Sequence, residues 1–171
     1  MKILIAYAGR VGVTAECAEL LKKGLDGRDV TLCDLKKEKP DLDEYDAVVV
    51  GSAVYYGKAE KCATAFLREN SELLLKKHFA GYICCGFTDM ADKYIEETFP
   101  RELRRTAVDC VYFGGELKPD KQKGFFKKRL VKMMRNDIIN NGDSDDEIMI
   151  RILPEINPSE ITKLAEKLKK L

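Results

Sequence analysis

Residues 2–21, KILIAYAGRVGVTAECAELL, decide the architecture. Ile3, Leu4, Ile5, Ala6 and Tyr7 form an unbroken apolar run, the mark of a strand buried on both faces. The run breaks into Ala8-Gly9-Arg10-Val11-Gly12-Val13-Thr14, after which Ala15, Ala18, Leu21 and Leu25 recur at helical spacing. A parallel strand, a glycine loop and a helix N-terminus together make an anion site. The loop N–H groups converge there, and the helix dipole favours negative charge. Residues 9–14 are therefore read as a phosphate cradle. An ordinary tight strand-to-helix turn is the alternative that the loop alone leaves open.

Further along, the same alternation repeats. A helix is expected over residues 13–25 and a short second strand over 30–35. A charged loop with Pro40 follows, then the clearest buried strand, Tyr45-Asp46-Ala47-Val48-Val49-Val50-Gly51-Ser52. That strand empties into Ala53-Val54-Tyr55-Tyr56-Gly57-Lys58, read as a loop of small and aromatic residues. A helix with Ala59, Cys62, Ala63, Phe66 and Leu67 on one face comes next. A fourth strand over 79–85 ends in Gly86-Phe87-Thr88-Asp89. Helical stretches over 91–99 and 100–105 lead to a fifth strand, 107–113, closed by Gly114-Gly115. Short connections between alternating strands and helices imply an α/β fold, a doubly wound parallel sheet with helices on both faces. Ligands of such sheets bind outside the carboxyl ends of the strands. The loops 8–14, 52–57 and 85–89 are expected to form one composite site there.

Composition narrows the class. The length of 171 residues suits one domain spanning 1–171, and the formal net charge of +1 supplies no global field for nucleic acid. No apolar run approaches the roughly 20 residues that span a bilayer, and no charged-then-apolar leader is seen, so a cytoplasmic protein is expected. Cys17, Cys33, Cys62, Cys84, Cys85 and Cys110 form no CxxC pair and lie mostly in apolar patterns, which suits free thiols. His78 has no cysteine or histidine near it in sequence, so no metal is expected. A solvated turn is likewise the expectation for the acidic run Asp143, Asp145, Asp146 and Glu147.

The segment after the fifth strand departs from plain alternation. Between Lys118 and Asn136, eight basic residues from Lys118 to Arg135 face the single acidic Asp120. Phe126, Leu130, Met133, Met134 and Ile138 share one helical face. The pattern is a basic amphipathic helix, either a solvated excursion or an element that meets an anionic membrane surface or an acidic partner. Residues 148–152 read as extended, and Asn157-Pro158-Ser159-Glu160 opens a terminal helix.

Three segments, IAYAGRVGVT (5–14), EYDAVVVGSAVYYGKAEKCATAFL (44–67) and VYFGGELKP (111–119), precede the basic stretch and the turn NGDSDD (141–146). In that order they resemble the flavodoxin family over the whole chain, most closely its flavodoxin-like, menaquinone-dependent protoporphyrinogen dehydrogenase branch. The resemblance implies five parallel strands in the order 2-1-3-4-5, with an insertion at about 116–147. It also implies FMN at the strand ends. Its phosphate would lie on Gly9, Arg10, Val11, Gly12, Val13 and Thr14. Its ring would lie between Ser52, Ala53, Val54, Tyr55, Tyr56 and Gly57 on one side and Cys85, Gly86, Phe87 and Thr88 on the other. Family loops carry hydroxyls where this chain has Gly9 and Val11. Each such hydrogen bond to a charged group is worth roughly 1.5–3 kcal/mol, so backbone N–H groups and Arg10 must compensate.

The residues leave Tyr55 and Tyr56 open, as rim aromatics or as stacking partners for a flavin, with no choice between them. No side chain reads as an acid, base or nucleophile. The expectation is an FMN-binding oxidoreductase or electron-transfer protein with a redox partner protein or quinone. Peripheral contact with the inner face of the membrane through segment 118–135 is an expectation beside the solvated excursion. The rivals are a quinone-coupled protoporphyrinogen dehydrogenase and a flavodoxin-like binding module without cofactor. A dinucleotide fold is disfavoured because Gly9-Arg10-Val11-Gly12 lacks the GxGxxG spacing.

Overall fold

A computed structural model describes residues 1–86, 88–115, 129 and 155–171. Strand β1 (Lys2–Ala8) is the apolar run read above, and it lies between β2 (Asp29–Asp34) and β3 (Ala47–Tyr55), parallel to both. Helix α1 (Val13–Gly24) makes the crossover from β1 to β2. Beyond β3 come β4 (Lys58–Ala59), α2 (Lys61–Glu69), α3 (Ser71–Leu74) and β5 (His78–Cys84). A 3-10 turn at Thr88–Met90 leads to α4 (Ala91–Thr98), α5 (Arg101–Thr106) and β6 (Asp109–Tyr112). The final helix is α6 (Pro158–Lys169).

The sheet order is β2-β1-β3-β5-β6, with β4 paired only to β3. With that short antiparallel piece set aside, the five parallel strands stand in the expected order 2-1-3-4-5. Alternation along the strands sends side chains to two cores. Ile3, Ile5, Ala47, Val49 and Tyr82 face α1 and α6, while Leu4, Ala6, Val48, Val50, Phe79 and Ile83 face the layer of α2 to α5. Every residue of β3 up to Val54 is buried, as a central parallel strand demands. The edge strand β2 instead leaves Asp29 and Thr31 exposed and buries only Cys33.

Helix α6 begins where its sequence indicates. Asn157 caps it by accepting a hydrogen bond from the Glu160 N–H at 3.4 Å, and Pro158 takes the first helical position. The chain returns to the sheet just before this point: Ile156 bridges Gly114, and the Asn157 N–H donates to the Phe113 carbonyl at 2.9 Å. The expected basic helix, acidic turn and extended piece over 118–152 lie outside the described residues, apart from Arg129.

One cross-core contact fixes α1 against the sheet. The fully buried Tyr82 ring stacks on Phe113 at 4.6 Å between centroids, and its hydroxyl donates to the Thr14 carbonyl at 2.9 Å. It reaches there across Gly51, its partner on β3, where an added Cβ would collide with the ring. Gly51 is therefore a packing requirement and not a turn residue. Gly51→Ala is expected to cost about 1–3 kcal/mol, as overpacking of a close-packed core does. Tyr82→Phe keeps the ring and loses the hydroxyl bond, costing about 1 kcal/mol. Urea unfolding followed by circular dichroism measures both.

Candidate functional site

The loops after β1, β3 and β5 emerge together at the carboxyl edge of the sheet, since these strands are neighbours and parallel. In the first, Gly12 holds φ 98° as the N-cap of α1, a left-handed conformation that suits glycine. No side chain caps this helix, so its first N–H groups are left to a ligand or to water. Only open space surrounds the Gly12 Cβ position. Gly9 differs: an added Cβ would lie 2.6 Å from Thr14 Oγ1. The Thr14 side chain thus fills the place a hydroxyl-bearing residue at position 9 would need. Thr14 is itself buried, and Val13 beneath it is buried in the α1 core. At position 9 the missing hydroxyl has a packing cause.

Charges surround the loop. Glu60, the N-cap residue of α2, is buried, with its carboxylate between two cations. Arg10 Nε donates to Glu60 Oε1 at 2.6 Å, and Lys36 Nζ stands 3.4 Å from Glu60 Oε2. Lys36 Nζ also donates to the Gly9 carbonyl at 2.8 Å. The Arg10 guanidinium lies over the Tyr55 ring, 5.0 Å from its centroid. Burial pushes the Tyr55 hydroxyl's pKa up, partly offset by the backbone N–H groups of Arg10 and Val11, which favour its oxygen as an acceptor. Tyr55 therefore belongs to the first loop as much as to its own strand.

The second loop differs from expectation. The sequence pattern ends the strand at Ser52 and begins a loop at Ala53, but β3 continues through Tyr55. The strand is prolonged because β4 pairs with it, Val54 opposite Ala59 and Tyr55 opposite Lys58. A two-residue turn, Tyr56 at φ 50° and Gly57 at φ 72°, closes this hairpin. Ser52 is fully buried; its Oγ donates to the Ala53 carbonyl at 3.0 Å and accepts from the Glu60 N–H at 3.0 Å. Tyr56, at the tip, is 77% exposed. The two tyrosines are thus separated: Tyr55 lies under Arg10, and Tyr56 is open to a planar ligand.

In the third loop, Cys85 is buried, Gly86 is half-buried, Thr88 begins the 3-10 turn, and Phe87 lies outside the described residues. Tyr112, at the end of β6, pins the loop. Its hydroxyl donates to the Cys85 carbonyl at 3.1 Å and lies 3.3 Å from Thr88 Oγ1. Gly115 packs directly on Cys85, where an added Cβ would strike the Cys85 carbonyl, and its N–H donates to the Glu155 carbonyl at 3.2 Å. The chain thus leaves the sheet at Gly115 and returns at Glu155, beside the third loop.

Sequence reading missed Glu60, Lys36 and Tyr112. Lys36 and Glu60 sit in charged or mixed stretches that look like solvated surface, and only the fold brings them onto Gly9 and Arg10. His78 is exposed, and no group of three or more histidine, cysteine, aspartate or glutamate side chains is placed to hold a metal among the described residues. Among those residues, no helix is long and apolar enough to cross a membrane.

A family model described as the flavodoxin domain matches residues 4–146, so the chain belongs to the flavodoxin family. Solved structures agree on the fold. A flavodoxin from the domain Archaea is 23% identical, with 82% of this chain and 97% of that one covered at a TM-score of 0.51. The Fusobacterium nucleatum flavodoxin bound to flavin mononucleotide is 11% identical, with 99% and 97% covered at 0.51. The rubredoxin oxygen:oxidoreductase of Desulfovibrio gigas is 18% identical; 81% of this chain aligns at 0.51, spanning only 35% of that larger protein. A comparison with curated proteins found no match.

The cysteines follow the logic of burial. None of the six forms a disulfide. Cys17 and Cys84 meet behind Thr14, sulfur to sulfur at 3.7 Å, and the hydrogen bond to Cys17, then burial, pushes the Cys84 thiol's pKa well up. Burial raises Cys33 to about 11 and Cys110 to about 12. These thiols stay protonated at neutral pH and gain thiolate only as pH rises toward those values. Iodoacetamide at pH 8 is accordingly expected to label the half-buried Cys62 first, with Cys33 and Cys110 reacting only in strongly alkaline solution or after unfolding. Peptide mass spectrometry along the labelling time course checks the order.

Proposed function

We propose that the chain binds FMN and serves as an electron-transfer flavoprotein. One observation carries this reading. An uncapped helix N-terminus behind a left-handed Gly12 opens beside a strand-end hairpin with an exposed aromatic tip, in a chain of the flavodoxin family. The residues fit the group. The N–H groups at the start of α1, behind Gly12, with Arg10 and Lys36 beside them, suit a phosphate dianion, while the Arg10 and Val11 N–H groups serve the Tyr55 hydroxyl. Tyr56 offers a free aromatic face for the flavin ring. The backbone at Cys85, Gly86 and Thr88, held by Tyr112, borders the other side, while Ser52, Ala53 and Val54 act from within β3 by holding the hairpin in place. FMN, when bound, supplies the redox chemistry; the chain binds, orients and shields it.

A second reading makes the protein a quinone-coupled protoporphyrinogen dehydrogenase with peripheral contact at the inner face of the membrane. It is favoured by the point where the chain departs and returns. Gly115 and Glu155 are bonded beside the third loop, and the basic segment 118–135 lies between them in sequence. Porphyrinogen oxidation with a menaquinone acceptor, and binding to anionic vesicles, would support this reading. Flavin reduction without either would leave the electron carrier.

Titration of the purified full chain with FMN, followed by its visible spectrum, is expected to give a stoichiometric, perturbed flavin band. Tyr56→Ala is expected to weaken binding roughly three- to tenfold, the scale of one aromatic stacking contact. Absence of binding at micromolar FMN would leave a flavodoxin-like module without cofactor.

A further inference from the structure

The charges around the first loop have an order that the phosphate reading alone does not require. Glu60 is 6% exposed, its backbone N–H is fixed to Ser52 Oγ and the Ala53 carbonyl, and no rearrangement of α2 is needed for it to hold its two partners. It engages Arg10 through Nε, while the guanidinium face rests on Tyr55. Among the described residues, the two Nη groups of Arg10 have no partner. A guanidinium anchored by Nε and by its face has one edge left, and that edge is the planar fork that matches two oxygens of a phosphate. Lys36, on the other carboxylate oxygen, is held against the Gly9 carbonyl in the same way.

We propose that Glu60 is a positioning residue, fixing Arg10 and Lys36 as a cationic clamp that selects phosphorylated over unphosphorylated flavin. This rests on the flavin reading and deepens it. The clamp stands where the loop lacks hydroxyls, Gly9 being sealed by Thr14 and Val11 having none to give. Two cations against one carboxylate leave the clamp with a net positive charge for a phosphate. The carboxylate itself repels the phosphate through space, so a purely electrostatic Glu60 and a positioning Glu60 predict opposite results on removal. Without it, an unpositioned Arg10 swings into water and the discrimination falls. Were it only a nearby negative charge, discrimination would rise.

The test compares dissociation constants for FMN and riboflavin, by flavin fluorescence with the full chain, in the wild type, Glu60→Ala, Arg10→Met and the double variant. Thermal unfolding is measured on each. The ratio of riboflavin to FMN dissociation constants is expected to fall about tenfold in Arg10→Met and by a similar factor in Glu60→Ala. Glu60→Ala should add less than about threefold in the Arg10→Met background, the non-additivity of residues acting as one unit. Loss of folding alone would weaken both flavins together and leave the ratio unchanged. If Glu60→Ala proves too unstable to titrate, Glu60→Gln replaces it, its amide oxygen keeping an acceptor for Nε, and its ratio should stay within about threefold of wild type. A Glu60→Ala ratio that is unchanged or raised, or a Glu60→Gln ratio that collapses or rises beyond that range, overturns the positioning role while leaving flavin binding intact. A wild type that binds neither flavin overturns the flavin reading, and this one with it.

Discussion

The first turn of α1 sits over the carboxyl end of β1, and the rest of the site depends on that placement. Two features hold it. Gly12 lets the chain turn through a left-handed conformation straight into the helix, and the Tyr82 hydroxyl ties the Thr14 carbonyl to the centre of the sheet. A helix N-terminus fixed in this way presents its dipole and its first N–H groups at one spot. The neighbouring parallel strands β3 and β5 end beside it because β1 pairs with β3 and β3 with β5. The first loop, the hairpin and the third loop therefore share one edge for topological reasons, before any ligand is considered.

Packing then decides which side chains that edge can carry. Thr14 turns inward over Gly9, near the buried Cys84, so position 9 has no room for a hydroxyl. In the proposed site charge takes up the role, with Arg10 and Lys36 gathered by a buried Glu60. A buried carboxylate is tolerated only when paired and hydrogen-bonded, and here both of its oxygens meet a cation. That requirement links three segments far apart in sequence: the β1 loop, the end of β2 and the start of α2.

Much of this was legible in the chain and some was not, for physical reasons. Strands buried on both faces announce themselves as apolar runs, so β1, β3 and β5 were readable, while their order in the sheet came only from the family resemblance. The Asn-Pro-Ser-Glu start of α6 was readable because capping is local chemistry. The β3–β4 hairpin escaped notice because its turn uses Tyr56-Gly57, without the asparagine or aspartate that usually marks a left-handed pair. Tyr55 and Tyr56 could not be told apart from adjacency alone; the hairpin sends one under Arg10 and the other to solvent. Glu60 was invisible because the burial of a charged residue depends on partners that only the fold supplies.

A crystal structure of the full chain with FMN tests the central claim most directly. The phosphate should lie within hydrogen-bond reach of the N–H groups at the start of α1 and of the Arg10 fork, with Glu60 still holding Nε and Tyr56 against the flavin ring. A flavin bound elsewhere, or a phosphate that leaves Arg10 and the α1 N-terminus untouched, would contradict it.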